Sequence, residues 1–104
     1  MRIAFKMKVN KDYKQEYEKR HNPIWPELEK TLIGHCVQTY SIFLDRDTGD
    51  LFAYAEIESL EKWNDIAKTD ICRKWWDYMA PLMPCHADHS PVSKELREVF
   101  HIEK

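Results

Sequence analysis

Residues 2 to 9 alternate, with Ile3, Phe5, Met7 and Val9 on one side and Arg2, Ala4, Lys6 and Lys8 on the other. A two-residue period sends successive side chains to opposite faces, so this segment predicts a strand with one buried face. From Lys11 to Arg20 the period changes. The chain becomes rich in Lys, Gln and Glu, which form helices readily, and Tyr13 and Tyr17 fall four residues apart on one helical face. His21 continues that stripe. Pro23 disfavours helical geometry at Asn22, so the helix is expected to stop or bend beside His21. A second helical piece is expected from about Pro26, a residue tolerated in a first turn. It carries Leu28, Leu32 and Ile33 to Gly34, which offers a left-handed cap.

Residues 35–44 and 51–58 are rich in aromatic and aliphatic side chains and flank Asp45-Arg46-Asp47-Thr48-Gly49-Asp50, a run with turn chemistry. They predict a β-hairpin. Ser59 supplies an N-cap to a helix carrying Leu60, Trp63 and Ile66, with Glu61 in its first turn. Thr69-Asp70 form a second cap, restarting a helix with Ile71, Trp75, Tyr78, Met79 and Leu82 on one face and an end near Pro81 to Pro84. The segment 84–93, with Pro84, Asp88, Ser90 and Pro91, is a loop long enough to fold over a pocket. Val99, Phe100 and Ile102 are β-prone and read as the last strand.

The resulting order, strand, helix, strand, strand, helix, strand, is the α+β ferredoxin-like βαββαβ pattern. Such a sheet carries helices on one face only. Its other face must be solvated, used as a pocket wall or covered by a partner, and pairing into a homodimer of the dimeric α/β-barrel type is the economical solution. At 104 residues the chain is expected to form a single domain spanning 1–104.

Composition narrows the function classes. The chain is 43% hydrophobic and 33% charged with only two glycines, the profile of a folded protein rather than a disordered one. Sixteen basic and eighteen acidic residues leave a net charge of -2, and no block of like charge occurs, so neither nucleic acid nor a membrane surface is an expected partner. Lysines break up the first apolar residues before a signal-peptide core forms, and no apolar run approaches the roughly 18 residues of a membrane span. Three widely spaced cysteines, Cys36, Cys72 and Cys85, argue against a disulfide framework and fit a reducing, cytoplasmic setting.

Among five histidines, His21 is the most suggestively placed, at a helix bend with Tyr17 one turn before it. A histidine there either caps carbonyls at the helix end or transfers protons, for which its ordinary pKa of about 6.5 is suited. Trp75 and Trp76 point about 100° apart on a helix, so both cannot occupy the centre of one buried stripe. They serve as core or interface residues, or one of them forms a flat wall for a ligand. Sugars present C–H patches to aromatic rings while their hydroxyls need fixed polar partners, so tryptophans beside tyrosines make a plausible sugar pocket. Trp63 reads as core. The run Cys85-His86-Ala87-Asp88-His89 mixes soft and hard ligands but matches no standard zinc spacing, so no metal is expected. Neither glycine lies in a phosphate-binding loop, and no G-x-S-x-G elbow occurs.

The block Tyr17-Glu18-Lys19-Arg20-His21-Asn22-Pro23-Ile24-Trp25-Pro26-Glu27-Leu28, with Thr69-Asp70 and Trp75-Trp76, resembles the L-rhamnose mutarotase family. The likeness continues through Leu44-Asp45, Phe52-Ala53, Glu56-Ile57-Glu58-Ser59, Asn64, Met83-Pro84, Ser90-Pro91-Val92-Ser93 and Glu98-Val99-Phe100, in order over nearly the whole chain. The resemblance implies a dimeric ferredoxin-like isomerase that interconverts the α and β anomers of L-rhamnopyranose in rhamnose metabolism. It matches His21 to the family's proton donor, and Tyr17, Tyr40, Trp75 and Trp76 to substrate-contacting positions. The chain departs from the family at Lys19 and in the segment from Cys85 to His89, which bears on loop contacts and fine specificity rather than on the reaction. Anomer exchange involves no redox or carbon–carbon step, so no cofactor is expected. A cofactor-free monooxygenase or dehydratase of the same architecture, and a small-metabolite binding module, are the alternatives.

Overall fold

The computed structural model describes all 104 residues. Its elements are β1 (Arg2–Lys8), α1 (Lys14–Arg20), α2 (Pro26–Gly34), β2 (Val37–Leu44), β3 (Asp50–Ile57), α3 (Leu60–Ile66), α4 (Asp70–Met79) and β4 (Lys94–Leu96), with single 3₁₀ turns before α1 and after α4. The strands form one antiparallel sheet in the order β2-β3-β1-β4. This is the ferredoxin-like arrangement that the alternation of strand and helix patterns predicts.

Register follows the two-residue period. Phe5 faces Ala53 and Met7 faces Leu51 across β1 and β3, while Ile42 and Leu44 bring β2 to the same partners. These side chains share the inner face, against which the helices pack. The β2–β3 turn closes through Gly49 N–H to the Asp45 carbonyl at 2.8 Å and Asp47 N–H to the Asp45 carboxylate at 2.9 Å. Gly49 sits at φ +80°, and a Cβ there would lie 2.9 Å from the Val9 carbonyl oxygen, so only glycine fits.

Two side-chain caps begin the helices as expected: Ser59 accepts from Lys62 N–H and Thr69 accepts from Cys72 N–H. On α4 the buried residues are Cys72, Trp75 and Met79, a 3–4 spacing that lays one stripe on the sheet. The main core joins Met7, Val9, Leu28, Leu51 and Met79 to Tyr17 and Trp75, and a smaller cluster holds Val37, Ala55, Ile57, Ile66 and Cys72. Leu32, Tyr40 and Trp76 pack against both, so the two clusters form one continuous interior.

Two expectations are corrected. The last strand is Lys94–Leu96, paired with Ala4 to Lys6, and Val99, Phe100 and Ile102 lie beyond it without regular structure and largely exposed. An edge strand pairs through its backbone and needs no apolar run, which is why composition misplaced it. The left-handed residue that ends the α2 region is Cys36, at φ 62°, while Gly34 remains within the helix. Ile33 faces solvent; Leu28 is the buried residue of α2.

Candidate active site

His21 is the residue that follows α1, and its backbone N–H still bonds to the Glu18 carbonyl at 3.1 Å. Its side chain turns back along the helix so that Nδ1 lies 2.8 Å from the Tyr17 carbonyl oxygen. A carbonyl only accepts, so Nδ1 carries the proton and the neutral ring keeps its lone pair on Nε2. The helix-end contact and the proton-transfer role are therefore compatible: one nitrogen caps the helix and the other stays free for chemistry.

The imidazole lies between two aromatic side chains. Tyr17 stacks on it with ring centroids 4.5 Å apart at 30°, and Trp75 meets it edge to face at 5.1 Å and 88°. Burial among these rings lowers the His21 pKa below its ordinary value, and the bond to the Tyr17 carbonyl opposes part of that shift. Tyr17 and Tyr40 are shifted the other way: burial pushes both phenols well above the usual tyrosine range, so both hydroxyls stay protonated. At neutral pH the site thus holds an uncharged imidazole and two uncharged phenols.

Tyr17, His21, Tyr40, Trp63, Trp75 and Trp76 line one cleft of about 1440 Å³ that runs along the helices and the sheet and reaches its edge at Phe43 and Leu96. All five residues singled out for the site therefore line the same cleft. Tyr17, His21 and Trp75 touch one another in sequence, whereas Tyr40 reaches the cleft from β2, packed edge to face against Trp63 at 5.5 Å and Phe5 at 6.4 Å. Trp75 is buried and Trp76 only half-buried, the division that their 100° separation requires. Trp63 belongs to the interior, as expected, but also borders the cleft.

The 84–93 loop forms part of the wall through Ser90 and Pro91. Cys85 and Pro91 pair as a short bridge, and the His89 Nδ1 lies 2.8 Å from an Asp77 oxygen on α4. The His, Cys, Asp and Glu side chains nowhere gather in threes in a way that would hold a metal ion. Two aromatics outside the expected set also pack on the site. Trp25 meets Trp75 edge to face at 5.0 Å, and Tyr78 lies 5.2 Å from Trp25 and 5.7 Å from Trp75. The spacing of Tyr78 three residues after Trp75 was legible; the return of Trp25 onto them depends on the turn from His21 to Trp25.

Residues 2–102 match the family model described as L-rhamnose mutarotase. An L-rhamnose mutarotase from Shigella flexneri serotype 5b (strain 8401) is 55% identical over 102 residues, covering 98% of each chain. The crystal structure of an L-rhamnose mutarotase from Formosa agariphila superimposes with a TM-score of 0.92 at 47% identity, covering 99% of each chain. A dimeric ferredoxin-like protein from an uncultured marine organism, 10% identical, shares the fold with a TM-score of 0.66. With its cleft, its motif block and these relatives in agreement over nearly its full length, the chain belongs to the L-rhamnose mutarotase family.

Proposed function

We propose that this protein is an isomerase that interconverts the α and β anomers of L-rhamnopyranose, with His21 as the proton-transfer residue. The observation that carries the mechanism is the His21 ring, whose Nδ1 is committed to the Tyr17 carbonyl while Nε2 remains available in an aromatic-walled cleft. Neutral Nε2 takes the proton of the anomeric hydroxyl. The C1–O1 bond becomes a carbonyl, the C1–O5 bond breaks, and O5 receives a proton from a second donor. Rotation about C1–C2 presents the other carbonyl face; O5 then returns its proton as it attacks C1, and His21 gives its own back to O1. The residue acts as base and then as acid, which suits imidazole better than a carboxylate of ordinary pKa. The second proton comes from the Tyr40 hydroxyl, from a cleft carboxylate such as Glu18, or from water, with Tyr17 placed to orient the imidazole.

Trp75 and Trp76 supply the apolar wall for the sugar's C–H face, with Tyr17 and Tyr40 beside it. The working unit is a homodimer of single-domain protomers spanning 1–104, acting in the cytoplasm in rhamnose metabolism; no helix is long and apolar enough to cross a membrane. The test is saturation-difference proton NMR on equilibrated L-rhamnose, irradiating one anomeric proton and observing the other. Transfer that requires the protein supports the proposal. Folded protein that gives no transfer, yet binds the sugar saturably, returns the site to a binding module, and oxygen consumption with aromatic substrates returns it to the monooxygenase alternative.

A further inference from the structure

We infer that Trp25 is a positioning residue for this reaction: it fixes the Trp75 indole and, through it, the orientation and dryness of the His21 imidazole. The inference deepens the mutarotase reading and rests on it. Trp25 is held at the start of α2. Pro26, the first residue of α2, fixes the chain just after it, and the Trp25 carbonyl accepts the first helical bond, from Glu29 N–H at 3.0 Å. Its ring then enters the groove between Trp75 and Tyr78, which stand three residues apart on α4.

The arrangement closes on itself. The Arg20 guanidinium lies 4.1 Å from the Tyr78 ring centroid, and its Nε donates to a Glu16 carboxylate oxygen at 2.7 Å. Arg20 also donates to the Tyr78 backbone carbonyl. Arg20 precedes His21, so the chain runs from Arg20 to Tyr78, from Tyr78 to Trp25 and Trp75, and from Trp75 back to His21. Trp25 and Tyr78 are not among the cleft-lining residues, whereas Trp75 and His21 are. Trp25 therefore reaches the cleft through its contact with Trp75.

The same geometry fixes the spectroscopic consequence. The imidazole faces the Tyr17 phenol from α1 and the indole of Trp75, which does not titrate, from α4. Glu18 and Tyr40 line the same cleft, and Arg20 is turned onto Tyr78. Burial is the main cause of the lowered His21 pKa, so loosening Trp75 admits water and moves that pKa back up toward its ordinary value.

The experiment compares wild type, Trp25→Leu and Trp25→Phe by anomer-exchange NMR with L-rhamnose across pH, with the His21 imidazole titrated by NMR in the same samples. In Trp25→Leu, kcat is expected to fall about tenfold with KM within about twofold, as a misplaced catalytic group predicts, and the acid limb of kcat and the His21 titration both move up. Trp25→Phe, which keeps a ring in the groove, is expected to recover most of kcat. A folded Trp25→Leu protein with wild-type kcat and an unmoved His21 titration overturns the inference, as does a loss confined to KM. If Trp25→Leu does not fold, Tyr78→Leu, at an exposed position, takes its place with the same direction expected and the same result overturning it. A His21→Ala control keeps the two proposals apart: full activity there sinks the mutarotase mechanism, whereas an inactive His21→Ala beside an unaffected Trp25→Leu sinks only the role of Trp25.

Discussion

At the scale of the residue, His21 owes its character to two neighbours that are not charged. The Tyr17 carbonyl selects the tautomer, and the surrounding rings remove the water that would stabilise an imidazolium. His21→Asn keeps a polar group of similar reach but cannot exchange roles as base and acid, so kcat should drop by about 10²–10⁴ with the fold intact. The pH profile follows from the sign of the shift. With neutral His21 as the base of the proposed mechanism, activity should be lost as pH falls through a pKa lying below the ordinary 6.5, and that limb should be absent from the residual activity of His21→Asn. Stability obeys the same linkage: between the lowered folded pKa and the unfolded value the unfolded chain binds more protons, so acidification through this window destabilises wild type, and His21→Asn removes that component. Denaturant unfolding of both proteins at a series of pH values from 7 downward reads this out. Parallel curves for the two proteins would remove burial of His21 from the account.

At the scale of the element, the caps and the hairpin turn were legible because each rests on local chemistry; of the α4 stripe, Trp75 and Met79 were legible, whereas Tyr78, expected on it, is exposed and Cys72 is buried. The Ser59 and Thr69 caps and the Gly49 turn are decided within a few residues. The last strand was not legible: Val99, Phe100 and Ile102 have the composition of a strand, but β1 pairs instead with Lys94 to Leu96, a choice made by sheet geometry. Of the site, His21, Tyr17 and Trp75 could be brought together from the sequence because Tyr17 and His21 share a helical face and the motif block links them to the tryptophans. The Trp25 contact could not, since it depends on how the chain turns between His21 and α2. The cap of α4 has its own prediction. Thr69 accepts from Cys72 N–H and also donates to the Ile66 carbonyl, joining α3 to α4. Thr69→Ala should cost about 1 kcal/mol of unfolding free energy. Because α4 carries both Trp75 and Trp76, the variant should also lose anomer-exchange activity at a lower temperature than wild type, which a thermal melt paired with activity at each temperature will measure.

At the scale of the whole molecule, the sheet decides the assembly. Its inner face packs against the helices, and the outer face sets three exposed apolar side chains among polar residues such as Ser41, Lys6 and Lys94. Phe43 and Phe52 are direct partners across β2 and β3, and they remain 64% and 40% exposed. Leu96 on β4, opposite Ala4 of β1, is 37% exposed on the same face. The tail beyond β4 adds Val99, Phe100 and Ile102, the most exposed of the large apolar side chains, and starts from a point pinned by the Arg2–Glu98 ion pair at 2.9 Å. Large apolar side chains left this exposed on a small folded protein mark a candidate contact surface. Covering it with a second copy related by a two-fold axis is self-complementary, because the same patch serves both protomers. The chain should therefore sediment as a dimer at micromolar concentration. Replacing Phe43 and Phe52 together by glutamate places like charges against each other across that axis without disturbing the inner face, so the double variant should sediment as a folded monomer. A wild-type monomer would remove the dimer from the proposal. A double variant that still sediments as a dimer would move the contact from the outer face to the apolar tail, where truncation after Glu98 would then be the change that separates the protomers.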